Sequence, residues 1–189
     1  MNDIKINRDI ELTDGSIVLR PQSPKYIDLL YDAVVESWEE TMQWMPWMHE
    51  GYTKDETREW LESRISAWNS LDEFDFAIFN SGDVFLGGCG LNHVDLDKGL
   101  ANLGYWVRKG FTGHGVATAA AVLAAGFGFN SLRLNRLEIV AATGNSASQR
   151  VAEKAGAVRE GLLRNRIVVR DMIYDAVMFS LIPSDLKLK

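Results

Sequence analysis

The run Arg108–Asn130, RKGFTGHGVATAAAVLAAGFGFN, constrains the fold more than any other part of the chain. It carries glycines at Gly110, Gly113 and Gly115, and an uncharged, alanine-rich stretch follows at once. A bilayer crossing takes about 20 apolar residues, and Asn130 and Arg133 end this stretch too soon. A buried helix is the better reading. The preceding segment, ANLGYWV (Ala101–Val107), has the composition of a strand. Glycines between a strand and a helix let the backbone turn tightly and approach a ligand closely. The first helical N–H groups there are unpaired, and with the helix dipole they suit a phosphate. A Walker loop would need Gly-Lys-Ser/Thr, which is missing, and a dinucleotide fingerprint would put glycine where Thr118 stands. Taken alone, the loop is equally well read as a structural turn.

The rest of the chain supplies a setting for that loop. Its 189 residues make one domain, residues 1–189, with 47% hydrophobic and 24% charged residues, as expected of a globular protein. Ser16–Pro21 reads as a strand, Pro24–Glu40 as a helix, and Gln43–Thr53 as a loop rich in large side chains. The capping box Thr53–Glu56 opens a helix expected to reach Leu71. FDFAIFN and VFLGGCGLNHV flank an SGD turn, a hairpin pattern. After Asn130 come a strand (NRLEIVAA), a helix (SASQRVAEKAG) and two strands (AVREGLLR, MIYDAVMFSLI). This is a mixed α/β (α+β) order. The last strand is either an interior strand or part of a homodimer interface.

Composition narrows the partners. Net charge is −6 with no dense basic cluster, which argues against nucleic acid and mildly favours a cationic acceptor. The single cysteine, Cys89, excludes an internal disulfide and suits a reducing, cytoplasmic setting. His93 and His114 lack metal-ligand spacing, so no metal is expected. The polar start MNDIKINRDIELTDG has no apolar leader segment, and no membrane partner is expected.

The ordered series IVLRP, WMPW, LGYWV, GHGVATAA, LNRLEI, GNSASQRVAEKAGAVREGLLR and YDAVMFSLI resembles the GNAT superfamily of acyl-CoA N-acyltransferases. Within it, the series is similar to the RimJ/RimL type, which acetylates N-terminal α-amino groups of ribosomal proteins. The resemblance implies a mostly antiparallel twisted sheet that splays between its fourth and fifth strands, flanked by helices. It implies acetyl-CoA as cosubstrate. Gly113, His114 and Gly115, with Val116, Ala117 and Thr118, would bind its pyrophosphate through backbone amides. Trp106, Val107 and Arg108 would offer N–H groups to the pantetheine and thioester oxygen, and Asn145 would bond the pantetheine arm. Two family positions differ: Gly110 replaces a Gln/Arg, and Ala152 stands where many relatives carry a tyrosine.

Acetyl transfer needs a neutral amine, a polarised carbonyl and a protonated leaving thiol. Glu138, on NRLEIVAA ahead of Asn145, is the candidate base by the same resemblance; a solvated or salt-bridged strand glutamate is the alternative. Asn102 stands where many relatives have a carboxylate. Asn145 is also a natural helix N-cap. Ser148 is either the proton donor to the thiolate or an ordinary helix-surface serine. Trp44, Trp47, Met48 and His49 would wall the acceptor channel, Tyr105 and Trp106 the coenzyme side. Trp60 and Trp68 have helical spacing and read as core. The acceptor is expected to be a protein N-terminus, with small amines, or a non-catalytic acyl-CoA-binding module, as the alternatives.

Overall fold

One eight-stranded sheet carries the chain in a computed structural model that describes residues 6–186. Residues 1–5, on which part of the expectation about a leader segment falls, and 187–189 lie outside the described residues. The strands are β1 (Leu12–Thr13), β2 (Ile17–Pro21), β3 (Phe74–Asn80), β4 (Phe85–Asp95), β5 (Leu100–Val107), β6 (Arg136–Ala142), β7 (Val158–Val169) and β8 (Met172–Leu181). Their order across the sheet is β1-β2-β3-β4-β5-β6-β8-β7. Helices α1 (Ile27–Thr41) and α2 (Lys54–Asn69) join β2 to β3, α3 (Val116–Asn130) joins β5 to β6, and α4 (Ser146–Lys154) joins β6 to β7.

Every strand pair is antiparallel except β5 and β6. A parallel pair needs a long crossover, and α3 with its glycine loop provides it. Pairing between these strands covers only Leu100↔Arg136, Ala101↔Leu137 and Asn102↔Glu138. Beyond Asn102 they part, and this is the splay that the family resemblance implies.

Alternation along the strands sorts side chains onto two faces. Phe74, Phe76, Leu91, Ala101 and Leu103 face α3. Phe127 of α3 meets Phe74 and Phe76 at centroid distances of 5.3 Å, and Trp68 at 6.0 Å. The opposite face packs Ala77 and Phe85 on Leu30 and Val34 of α1. Helix α3 is buried on most sides, as its uncharged sequence requires. No helix of the described residues is long and apolar enough to cross a membrane.

Local expectations hold with several corrections. The Thr53–Glu56 capping box forms, Thr53 Oγ1 accepting from Glu56 N at 3.2 Å and Glu56 Oε2 from Thr53 N at 2.9 Å. Helix α2 stops at Asn69 rather than Leu71, whose positive φ of 62° is incompatible with a helix. The first helix begins as a 3₁₀ turn, Pro24–Tyr26, before α1. Strand β7 runs on to Val169 because its hairpin with β8 closes at Val169↔Met172. Trp68 is buried, whereas Trp60 is 36% exposed. Eight helical positions rotate the side chain by about 80°, enough to take Trp60 off the core face.

The Phe127 cluster makes a stability test. Phe127→Ala should cost about 3–5 kcal/mol in chemical denaturation, the usual loss for a buried aromatic truncation. Val168→Ala, at a position 60% exposed, should stay within about 0.5 kcal/mol. Equal losses at the two sites would contradict this account of the core.

Candidate active site

The parting of β5 and β6 leaves a cleft of about 630 Å³, floored by Leu103–Val107 and Ile139–Ala142 and walled by the starts of α3 and α4. A closed ladder would fill this space with interstrand hydrogen bonds. Arg108 N donates to Leu86 O at 2.8 Å, so the Arg108 amide is committed to β4. Alternation turns the Trp106 amide the same way and the Val107 amide toward the open side. Of the three amides expected to face a ligand, that of Val107 is the one aimed at the cleft.

The glycine loop is built as its composition suggests. Gly113 and Gly115 have φ values of 80° and 81°, the left-handed region that favours glycine. A Cβ on either would meet nothing within 4 Å, so both line open space rather than crowded protein. Gly115 is the N-cap of α3, no side chain caps the helix, and its first turn carries no acidic residue. The amides of Val116, Ala117 and Thr118 therefore face the cleft without a competing anion, a setting that fits a pyrophosphate. The His114 side chain is exposed and lies off the cleft lining, so its part in the loop is backbone.

Sequence reading missed two of the cations around this space. Arg150 and Lys154 are exposed, line the cleft, and form no ion pair among the described residues. Their i,i+4 spacing on α4 was the available signal. Lys109 also lines the cleft but pairs with Glu40 at 2.9 Å, and Arg108 pairs with Glu36 at 2.5 Å.

Asn145 and Ser148 meet where β6 hands over to α4. Asn145 Oδ1 accepts from Ser148 N at 3.0 Å, the N-cap that its position suggests. Its amide nitrogen remains available to the cleft. Tyr105 Oη donates to Ser148 O at 2.9 Å and lies 3.2 Å from Ser148 Oγ. Burial pushes the Tyr105 phenol up to about 12, only partly offset by the Ser148 hydrogen bond, so it keeps its proton at neutral pH. Tyr105 and Ser148 thus put two linked hydroxyls on one cleft wall, a link that sequence separation hides.

Glu138 stands apart from this group. Its Oε1 accepts from Arg136 Nε at 2.9 Å, and Arg136 also grips Glu160 at 2.6 Å. Glu138 is not among the residues lining the cleft, although its β6 neighbours Ile139 and Val140 are. Asn102, its partner on β5, does line the cleft, and its Nδ2 donates to Asn92 Oδ1 at 2.9 Å.

A second cavity of about 320 Å³ shares Met45, Gly104, Tyr105 and Trp106 with the cleft. Trp47 and Trp60 line it. The aromatic loop between α1 and α2 thus divides its side chains. Trp44 lines the first cleft, 5.9 Å from the Tyr174 ring, and Trp47 lines the second, 5.9 Å from the Trp106 ring. Met48 is a correction: it is fully buried in the core under α1, since the loop needs one apolar anchor. His49 is another. It pairs with Glu56 at 2.9 Å, bonds Glu50 O, and lines neither cavity.

Comparison with known proteins agrees with this fold. The family model described as "Acetyltransferase (GNAT) domain" matches residues 16–158. The chain is 29% identical over 170 residues to the Bacillus subtilis (strain 168) protein named "Putative ribosomal N-acetyltransferase YdaF", across 88% of this chain and 91% of that one. Its fold superposes on RimL, a ribosomal L7/L12 alpha-N-protein acetyltransferase solved with coenzyme A, with a TM-score of 0.86 at 19% identity, covering 92% of this chain and 98% of that one. It also superposes on the microcin C7 self immunity acetyltransferase MccE, solved with acetyl-CoA and AMP, with a TM-score of 0.83 at 21% identity over 90% and 98% of the two chains. The match runs from β2 to the first residue of β7, and the chain belongs to the GNAT family of acetyltransferases.

Proposed function

We propose that this N-acetyltransferase takes acetyl-CoA in the β5–β6 cleft and transfers its acetyl group to a primary amine, in the first place the α-amino group of a protein N-terminus. The observation that carries the proposal is the convergence of an uncapped, glycine-led helix start with the Tyr105–Ser148 hydroxyl pair on one cleft. The name of the Bacillus relative favours a ribosomal protein as the acceptor. A small amine is the competing acceptor, favoured by the second cavity beside the cleft.

When bound, acetyl-CoA supplies an activated acetyl group and leaves as a thiol. The protein's own residues position, polarise and move a proton. The amides of Val116, Ala117 and Thr118 hold the pyrophosphate, with Arg150 and Lys154 as nearby cations. Asn145 Nδ2 holds the pantetheine arm, and Val107 N–H polarises the acyl oxygen. As the amine nitrogen bonds to the acyl carbon and the carbon–sulfur bond breaks, Ser148 Oγ gives its proton to the sulfur. The proton shed by the amine restores the serine, with Tyr105 holding the hydroxyl in place, so no net proton is gained or lost. An α-amino group has a reference pKa of about 7.7–8.0, so a useful share is already neutral near pH 7.5. Glu138, held by Arg136 off the cleft, belongs to the ion cluster that links β6 to Glu160 of β7 rather than acting as the principal base.

Mixing the protein with acetyl-CoA and a panel of peptides and small amines, with detection of released thiol, tests the assignment. Thiol release that requires an amine supports it, and coenzyme binding without release with any amine would overturn it. Thr118→Asp places a carboxylate in the first turn of α3, where it complements the dipole but opposes a pyrophosphate. Acetyl-CoA affinity should fall by at least about tenfold while the thermal midpoint holds or rises, as one lost charge-assisted contact implies. Parallel loss of both would point to a merely structural loop.

Ser148→Ala should lower kcat by about 10–100-fold with acceptor KM nearly constant, a share of the range for acid–base groups. Glu138→Gln should fall well short of the ~10²-fold loss that removal of a general base produces. A Glu138→Gln loss beyond that level, shrinking as pH rises, would restore the glutamate as base.

A further inference from the structure

The second cavity has a chemistry of its own. Its floor is made by Gly88 and Gly90 of β4 and Gly104 of β5, three positions on one face of adjoining strands. A Cβ on Gly90 would lie 2.5 Å from Asp75 Oδ1, and one on Gly88 would lie 2.8 Å from Trp106 Nε1. The glycines therefore make room for these two side chains to reach inward. Asp75, across from Gly90 on β3, accepts at Oδ2 from Arg64 Nη1 at 2.9 Å. Its Oδ1 accepts no hydrogen bond among the described residues. Arg64 is shared with Glu73, so two carboxylates face one guanidinium.

An independent observation points the same way. Gln22 lines the cavity and is 1% exposed, yet its Oε1 has no hydrogen-bond partner among the described residues. Such an enclosed acceptor costs about 1–3 kcal/mol when unsatisfied, and native interiors rarely leave one so. An unpaired amide acceptor, an ion-pair oxygen with spare capacity and the rings of Trp47 and Trp106 together match a donor-rich cation. The cavity adjoins the cleft at Gly104, Tyr105 and Trp106, so one molecule can extend across both.

We propose that this cavity seats a second, protonated nitrogen of the acceptor, joined by an aliphatic spacer to the amine that is acetylated, with Asp75 Oδ1 as its ion partner and Gln22 Oε1 as its hydrogen-bond acceptor. The inference rests on the acetyltransferase reading and names its acceptor class. Two sources present this chemistry: free diamines, and peptides whose first residue is basic. Trp47 and Trp106 flank the spacer, while Arg64 keeps Asp75 ionised and oriented. Burial pushes the Asp75 carboxyl up to about 6, against the opposing pull of Arg64, so it is still largely ionised at neutral pH.

The test compares matched acceptors on the intact protein. One pair is 1,4-diaminobutane against n-pentylamine; the other is a peptide beginning with lysine against the same peptide beginning with norleucine. The charged member should be preferred in kcat/KM by at least about tenfold in one pair or both, the scale of one hydrogen bond to a charged group. Preference in the amine pair alone identifies a free diamine, and in the peptide pair alone a basic N-terminal residue. Asp75→Asn should abolish the preference and Gln22→Met should reduce it, with acetyl-CoA affinity retained as the check on folding. If Asp75→Asn fails to fold, Gln22→Met alone decides. Thiol release with no preference in either pair, or a preference that survives both substitutions, overturns the cavity assignment and leaves the acetyltransferase standing. Calorimetric binding of 1,4-diaminobutane that Gln22→Met weakens, with no thiol released from any amine, would instead support the cavity and sink the transfer reaction.

Discussion

Three residue pairs hold β5 to β6, and the functional architecture follows from how few they are. Strand β6 is committed along its other edge to β8 from Leu137 to Ala142, and β5 is committed to β4 from Leu100 to Val107. Each strand is fully paired on one side only. Beyond Asn102 and Glu138 the two facing edges carry unmatched backbone groups that water or a ligand must satisfy. The Arg136 cluster with Glu138 and Glu160 links β6 to β7 at the closed end. The open end is where α3 and α4 begin, and the uncapped α3 presents backbone donors there.

The two sides of the sheet then divide the labour. On the α3 side, large apolar residues lock the helix to the strands, and the cleft opens only where that packing stops. On the α1 side, glycines at 88, 90 and 104 remove side chains from the strands and leave a hollow lined by Asp75 and Gln22. Residues of β5 between Gly104 and Trp106 belong to both spaces. A small shift in that strand would therefore alter donor and acceptor sites together.

Much of this was legible in the sequence. The glycine loop, the capping box at Thr53 and the hairpin at SGD follow from local chemistry, because each motif closes within a few residues. Asn145 is legible as an N-cap for the same reason. The splay was available only through family resemblance, since backbone N–H groups are donated by nearly every residue type and leave no trace in composition. Tyr105 and Ser148 are 43 positions apart and meet only through the sheet. Asp75 could have been found, because FDFAIFN alternates and sets it opposite Phe74 and Phe76; what alternation cannot say is that three glycines wait on the facing strands. Trp60 shows the opposite failure, a residue of core type rotated to the rim by the helical repeat.

The uncapped start of α3 has a further consequence. A capping side chain at position 115 would spend the first helical amides within the protein, and at a φ of 81° it could not sit there without strain. The left-handed glycine withholds them. The fold forgoes local stability at its most buried helix so that a set of donors remains unsaturated, and the robustness lost there is recovered in the aromatic cluster around Phe127 at the helix's far end. Rigidity and reactivity are thus assigned to opposite ends of one helix, and selection for greater stability can act on the second end without silencing the first.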